Sequence, residues 1–167
     1  VGIDMSTERA MTLFLGRSSA ALTDYCQAAG TPLPATFLPE LAREVRKTFR
    51  AQLQPIAGVV AVLEQLRVPH CVASSSDIER VKFSLELTGL AAHFGPHLYT
   101  SQMVRHGKPA PDLFLHAAAA MGAEPHHALV IEDSVSGVTA AKAAGMKVWG
   151  FVGGAHYRSA DGNALLR

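Results

Sequence analysis

From Pro55 onward, short apolar runs alternate with amphipathic stretches long enough to be helices, and this alternation constrains the fold more than any other feature. Residues 70–73, 98–100, 128–131 and 148–152 are too brief for helices and read as strands. Between them the pattern predicts helices over 58–67, 77–88, 111–121 and 134–144. Gly89, Gly122 and Gly145 stand where three of these helices must stop, and Pro111 opens one at a position where an N–H has no partner to lose. Strands separated by whole helices pair in parallel and need helices on their faces. The expectation is an α/β fold with a doubly wound parallel sheet.

Residues 1–52 carry helix signals only. Ser6-Thr7 open a first helix that Gly16 stops, and Ser18-Ser19 open a second that ends at Gly30. A third runs over 39–53, with Leu41, Val45 and Phe49 four apart as one buried face and Arg43, Glu44, Arg46, Lys47 and Arg50 as a solvated one. Two units are therefore expected, a helical module over 1–52 and an α/β core over 53–167. A chain of 167 residues, 49% hydrophobic and 17% charged, has enough apolar material for a core. Size scaling has about 69% of the unfolded surface buried. Cys26 and Cys71 are too few for a secreted disulfide framework. A net charge of +1 provides no field for nucleic acid, and no apolar run is long enough to span a membrane. A cytoplasmic monomer without nucleic-acid or membrane partners is expected.

Three strand ends carry polar chemistry, and ligands of such sheets bind at the carboxyl ends of strands. In Ser74-Ser75-Ser76-Asp77 one residue suffices to cap the next helix, and the spare hydroxyls can hold an anion at its N-terminus. In Gly107-Lys108-Pro109-Ala110-Pro111-Asp112 the prolines stiffen the backbone around a lysine, as a fixed ammonium facing phosphoryl oxygens requires. Glu132-Asp133, before Ser134, places adjacent carboxylates at the end of a buried strand, a repulsive pair that Mg²⁺ would reconcile. Other polar residues read as structural. Gly95-Pro96 separate His93 from His97, His126-His127 form a solvated turn, and Cys71 lacks a cation to activate it.

In this order, Val72-Ala73-Ser74-Ser75-Ser76, the Gly107–Asp112 segment and Ile131-Glu132-Asp133-Ser134-Val135-Ser136-Gly137 resemble the second, third and fourth motifs of the haloacid dehalogenase-like hydrolase superfamily. Residues 1–52 resemble the small helical cap of its subgroup of sugar-phosphate phosphatases and β-phosphoglucomutase, with Leu15-Gly16-Arg17-Ser18 similar to the substrate-facing loop. The resemblance implies a Rossmann-like core and a Mg²⁺-dependent phosphatase acting on a small phosphorylated metabolite such as a sugar phosphate. It implies Ser74 and Ser75 as phosphate ligands, with Ser76 and Asp77 close by. Lys108 is the neutralising ammonium, Asp133 and Glu132 are the metal ligands, and Arg17 meets the substrate's remote end. Loss of Lys108 is expected to damage turnover far more than folding.

Alternatives remain at this level. A mutase reaction is one, although Ser19 stands where the mutase loop is basic. A non-catalytic phosphate-binding or interaction module is another; receiver-like signalling domains place the acidic pair first and the lysine last, the reverse of the order here. The superfamily's first motif, Asp-x-Asp with the aspartyl nucleophile, has no counterpart in the sequence, and Asp4 matches the entry to the cap. The resemblance therefore implies a chain that begins after the nucleophile strand, lacks the central strand of its sheet, and is inactive alone. The apolar end Ala164-Leu165-Leu166-Arg167, without a stop signal, also reads as cut.

Overall fold

The computed structural model describes residues 3–154, so Val1 and the 164–167 end lie outside the described residues. Three helices come first: α1 (Thr7–Phe14), α2 (Ser19–Ala28) and α3 (Phe37–Gln52). Ser6 caps α1 by accepting the Arg9 N–H at 3.2 Å. Gly30 follows α2 at φ +71°, a left-handed turn that a side chain would oppose. The remainder alternates: α4 (Val59–Gln65), β1 (Val72–Ser74), α5 (Ile78–Leu87), the short α6 (Ala91–Phe94), β2 (Leu98–Thr100), α7 (Asp112–Ala120), β3 (Leu129–Glu132), α8 (Val135–Ala143) and β4 (Lys147–Gly150).

Every strand pairing among the described residues is parallel, as the intervening helices require. β1 pairs with β2 in the register Val72↔Leu98 to Ser74↔Thr100, and β3 with β4 from Leu129↔Lys147 to Glu132↔Gly150. These are two separate two-stranded sheets among the described residues, not one continuous sheet; β1 and β3 share no ladder. The core lies over β3 and β4, where Phe114, Ala118, Val130, Ala140, Ala141, Ala144 and Met146 meet. Alanines let α7 and α8 approach the strands closely, and Phe114 and Met146 fill what remains.

Two expectations about burial are corrected. The doubly wound pattern has both sheet faces covered, yet Ile131 and Trp149 are 63% and 65% exposed, because the apolar face of α8 lies on the Val130 side alone. The expected buried face of α3 is only half-covered. Leu41 is exposed, and Val45 and Phe49 are partly so, because α3 packs principally on α5. Nor is the basic face of α3 merely solvated. Arg46 and Arg50 lie over the Phe83 ring of α5 at 5.1 and 5.4 Å, and Arg80 of α5 lies over Phe49 at 5.3 Å.

Candidate active site

The ends of β1 and β3 are brought together by a side chain from neither strand. Lys108, 7% exposed, donates from Nζ to the Ala73 carbonyl of β1 at 3.0 Å and forms an ion pair with Glu132 Oε1 at the end of β3. The Phe114 ring lies 4.6 Å from the same nitrogen and closes its apolar side. A buried charge is tolerated only when it is paired and hydrogen-bonded, and this ammonium is both.

The loop that delivers Lys108 is pinned at its ends. His106 lies 3.1 Å from Asp112 Oδ1 through its Nδ1 and 3.3 Å through its backbone N–H. Desolvation opposes ionisation of Asp112, but the bonds from His106 prevail and hold its carboxyl below the usual carboxylate range.

Glu132 is 9% exposed, and both its oxygens are engaged. Oε2 accepts the Ser134 hydroxyl at 2.9 Å and the Ser134 N–H at 3.2 Å. Ser134 Oγ in turn accepts the Gly137 N–H at 3.1 Å and so caps α8. A Cβ on Gly137 would overlap the Glu132 carboxylate, which would have to shift away from Lys108 and Ser134 to make room.

At β1, Ser74 Oγ accepts the Ser76 N–H at 3.1 Å, while Asp77 caps α5 by accepting the Arg80 N–H at 2.9 Å. Capping is thus discharged by Asp77 and not by the serines. Two hydroxyls reach the α1–α2 loop: Ser75 donates to the Gly16 carbonyl at 2.7 Å and Ser136 to the Leu15 carbonyl at 3.4 Å. Gly16 has φ +74°, and a Cβ on it would collide with Ser134. The loop meets the β3–α8 turn there with bare backbone.

One cavity of about 440 Å³ opens among these groups, lined by Arg17, Ser74, Ser75, Ser76, Lys108, Glu132 and Asp133 together with Arg80. That volume lies within the usual range for small-molecule sites. Its walls come from β1, the Lys108 loop, the end of β3 and the α1–α2 loop, so residues far apart in sequence converge on one space.

Among the described residues no group of three or more His, Cys, Asp or Glu converges as a metal cluster. Two adjacent carboxylates nevertheless suit Mg²⁺, which takes one or two from protein and completes its shell with water and substrate oxygens. With both oxygens of Glu132 committed, direct coordination would fall to Asp133, which lines the cavity. Cys71, just before β1, is made less acidic by burial and stays a thiol.

Arg80 is the cavity residue that the sequence reading passed over. Its signal was electrostatic: it stands in the first turn of α5, where the helix dipole disfavours a cation.

Comparison with known proteins agrees with this geometry. The chain matches the haloacid dehalogenase-like hydrolase family over residues 8–145. It belongs to that family. This hydrolase is similar to a 6-phosphogluconate phosphatase of Escherichia coli K12, at 28% identity over 93% of this chain and 71% of that protein. Among solved structures it is similar to a conserved haloacid dehalogenase-like protein of unknown function from Agrobacterium tumefaciens, at 34% identity and TM-score 0.75, over 98% of this chain and 75% of that one. A haloacid dehalogenase family hydrolase of Deinococcus radiodurans R1, solved with bound phosphate and sodium, matches at 32% identity and TM-score 0.68, over 98% and 73%. Other curated relatives are matched over less of their length, down to 7%. The α/β fold of this hydrolase is that of these neighbours.

Proposed function

We propose that the protein containing this chain is a Mg²⁺-dependent phosphoric monoester hydrolase acting on a small phosphorylated metabolite such as a sugar phosphate. The observation that carries the reading is the single cavity onto which Ser74, Lys108, Glu132 and Asp133 converge. The names of relatives support it, since the E. coli protein is a phosphatase of a phosphorylated sugar acid and the D. radiodurans hydrolase binds phosphate.

In this reading Ser74 donates its hydroxyl to a phosphoryl oxygen, and Ser75 shapes the same wall while holding the α1–α2 loop through Gly16. Lys108 supplies positive charge for oxygens that carry the charge of the transferring group. Asp133 would hold Mg²⁺, with Glu132 setting the orientation of the turn through Lys108 and Ser134. When bound, the metal supplies charge neutralisation at the phosphoryl oxygens. Residues 1–52 act as a cap whose Arg17 faces the substrate. Attack on phosphorus requires a carboxylate nucleophile, and no Asp-x-Asp stands in the sequence. A strand bearing one would fit between β1 and β3, and the chain alone is expected to be inactive.

The test is phosphate release from a panel of sugar phosphates by the full-length protein, with and without EDTA. Asp133→Asn is expected to lower kcat by about 100-fold or more. Near-normal kinetics in that variant, or full activity in EDTA, would remove Asp133 and the metal from the reading. Substantial turnover by residues 1–167 alone would refute the need for an added nucleophile.

A further inference from the structure

We infer that Ser75 is a positioning residue, a latch that holds the α1–α2 loop over the cavity, and that Ser74 is the serine of the pair left to meet the phosphoryl group. This division rests on the phosphatase reading above; the latch itself does not. The number of protons decides between the two hydroxyls. A serine hydroxyl has one proton to give and two lone pairs with which to accept. Ser75 gives its proton to the Gly16 carbonyl at 2.7 Å, the ordinary length for such a bond, across 59 positions of sequence. What it can still turn to the cavity is lone pairs, and these repel the oxygens of a phosphate. Ser74 is in the opposite condition. Its Oγ accepts the Ser76 N–H at 3.1 Å, and among the described residues its own proton goes to no protein group. Two neighbouring serines on one wall of the cavity therefore serve different ends.

The end of α1 supplies what the latch grips. α1 stops at Phe14, and the carbonyls of Leu15 and Gly16 accept no backbone N–H among the described residues. Helix ends leave such carbonyls in want of donors. Here the donors come from across the fold: Ser75, just after β1, and Ser136, in the first turn of α8, whose hydroxyl lies 3.4 Å from the Leu15 carbonyl. The second bond is long and therefore the weaker catch. The negative end of α1 also lands on the positive end of α8, since Ser134, the cap of α8, sits where a Gly16 side chain would be. Water can satisfy the same two carbonyls when the loop lifts, so the balance between held and lifted loop is set by about one net hydrogen bond. Arg17 is the next residue along and lines the cavity, so the latch sets where its side chain stands.

The experiment uses the full-length protein, with hydrogen exchange read by mass spectrometry on the Phe14–Ser19 peptide and calorimetric binding of inorganic phosphate. The Arg17 N–H, bonded to the Phe14 carbonyl at 3.1 Å, reports whether the turn holds. Ser75→Ala is expected to speed exchange in this peptide about threefold to tenfold, the worth of one hydrogen bond, and Ser136→Ala by less than about threefold. Ser74→Ala should leave the exchange within about twofold of wild type. Phosphate binding should reverse the order: Kd rises about tenfold or more in Ser74→Ala and stays within about twofold in Ser75→Ala. On a sugar phosphate, which unlike free phosphate has a remote end for the loop to hold, Ser75→Ala should raise KM about threefold or more and change kcat less. Unchanged exchange in Ser75→Ala, equal exchange in Ser74→Ala and Ser75→Ala, or a phosphate Kd that rises as far in Ser75→Ala as in Ser74→Ala would overturn the inference and leave the phosphatase reading standing. No turnover of any sugar phosphate by folded wild-type protein would overturn that reading, while the exchange measurement still decides the latch.

Discussion

Replacing Lys108 by methionine should cost this protein stability as well as activity. The ammonium and the Glu132 carboxylate are each less than a tenth exposed, and Glu132 Oε1 has Lys108 as its partner. Removing the lysine leaves a buried carboxylate held only by Ser134, and removing one partner of a buried pair typically costs about 3–5 kcal/mol. An exposed pair would be worth about 0.2–1 kcal/mol, so the two cases are separable. For a domain of this size each kcal/mol is about 2–4 °C in Tm, which places the expected drop at about 6–20 °C. Urea unfolding of wild type, Lys108→Met, Glu132→Gln and the double variant measures the coupling directly. The double variant should lose less than the two single losses added together, by about 2 kcal/mol or more, because neither charge is then stranded. A single-variant loss under about 1 kcal/mol, or additive losses, would refute a buried pair. The stiff-loop reading of Lys108 expects its loss to damage turnover far more than folding; burial against Ala73 and Glu132 adds a measurable folding cost to that expectation.

Gly16→Ala should both strain the α1–α2 loop and push it off Ser134, since φ is +74° and the new methyl has no room. A loss of at least about 1–2 kcal/mol is expected in thermal unfolding, with reduced turnover; wild-type stability would show that the loop does not touch the turn. Asp112, held below the usual carboxylate range, contributes stability that is fully present above its unfolded pKa of about 3.8 and is lost as pH falls through its lower folded value. Melting curves of wild type and Asp112→Asn should therefore differ at pH 5–7 and converge in stronger acid, and a gap that widens in acid would contradict the His106 contact.

Much of this fold was legible because its signals are local. Ser6, Asp77 and Ser134 cap helices in the structure through the side-chain bonds their residue types predict. A cap requires only a hydroxyl or carboxylate and the next turn of backbone. Parallel pairing followed from strands separated by helices. Ser74, Lys108, Glu132 and Asp133 could be singled out because polar residues at strand ends and in a proline-bound turn are conspicuous against apolar neighbours. Strand limits were less legible: β1 spans Val72–Ser74 and β4 Lys147–Gly150, each displaced from the apolar run that signals it. Ladder partners on the neighbouring strand decide where pairing starts, and no local pattern encodes them.

By itself the order of residues determined the kind of elements, their parallel sense and the three polar turns, since each depends on neighbours within a few positions along the chain. Tertiary structure alone decided that Lys108 bridges two sheets, that Arg80 joins the motif residues in lining the cavity, and that α3 rides on α5 through stacked arginines. Those outcomes depend on distances between segments tens of residues apart, which periodicity does not specify. Their strength depends on burial, which only packing creates.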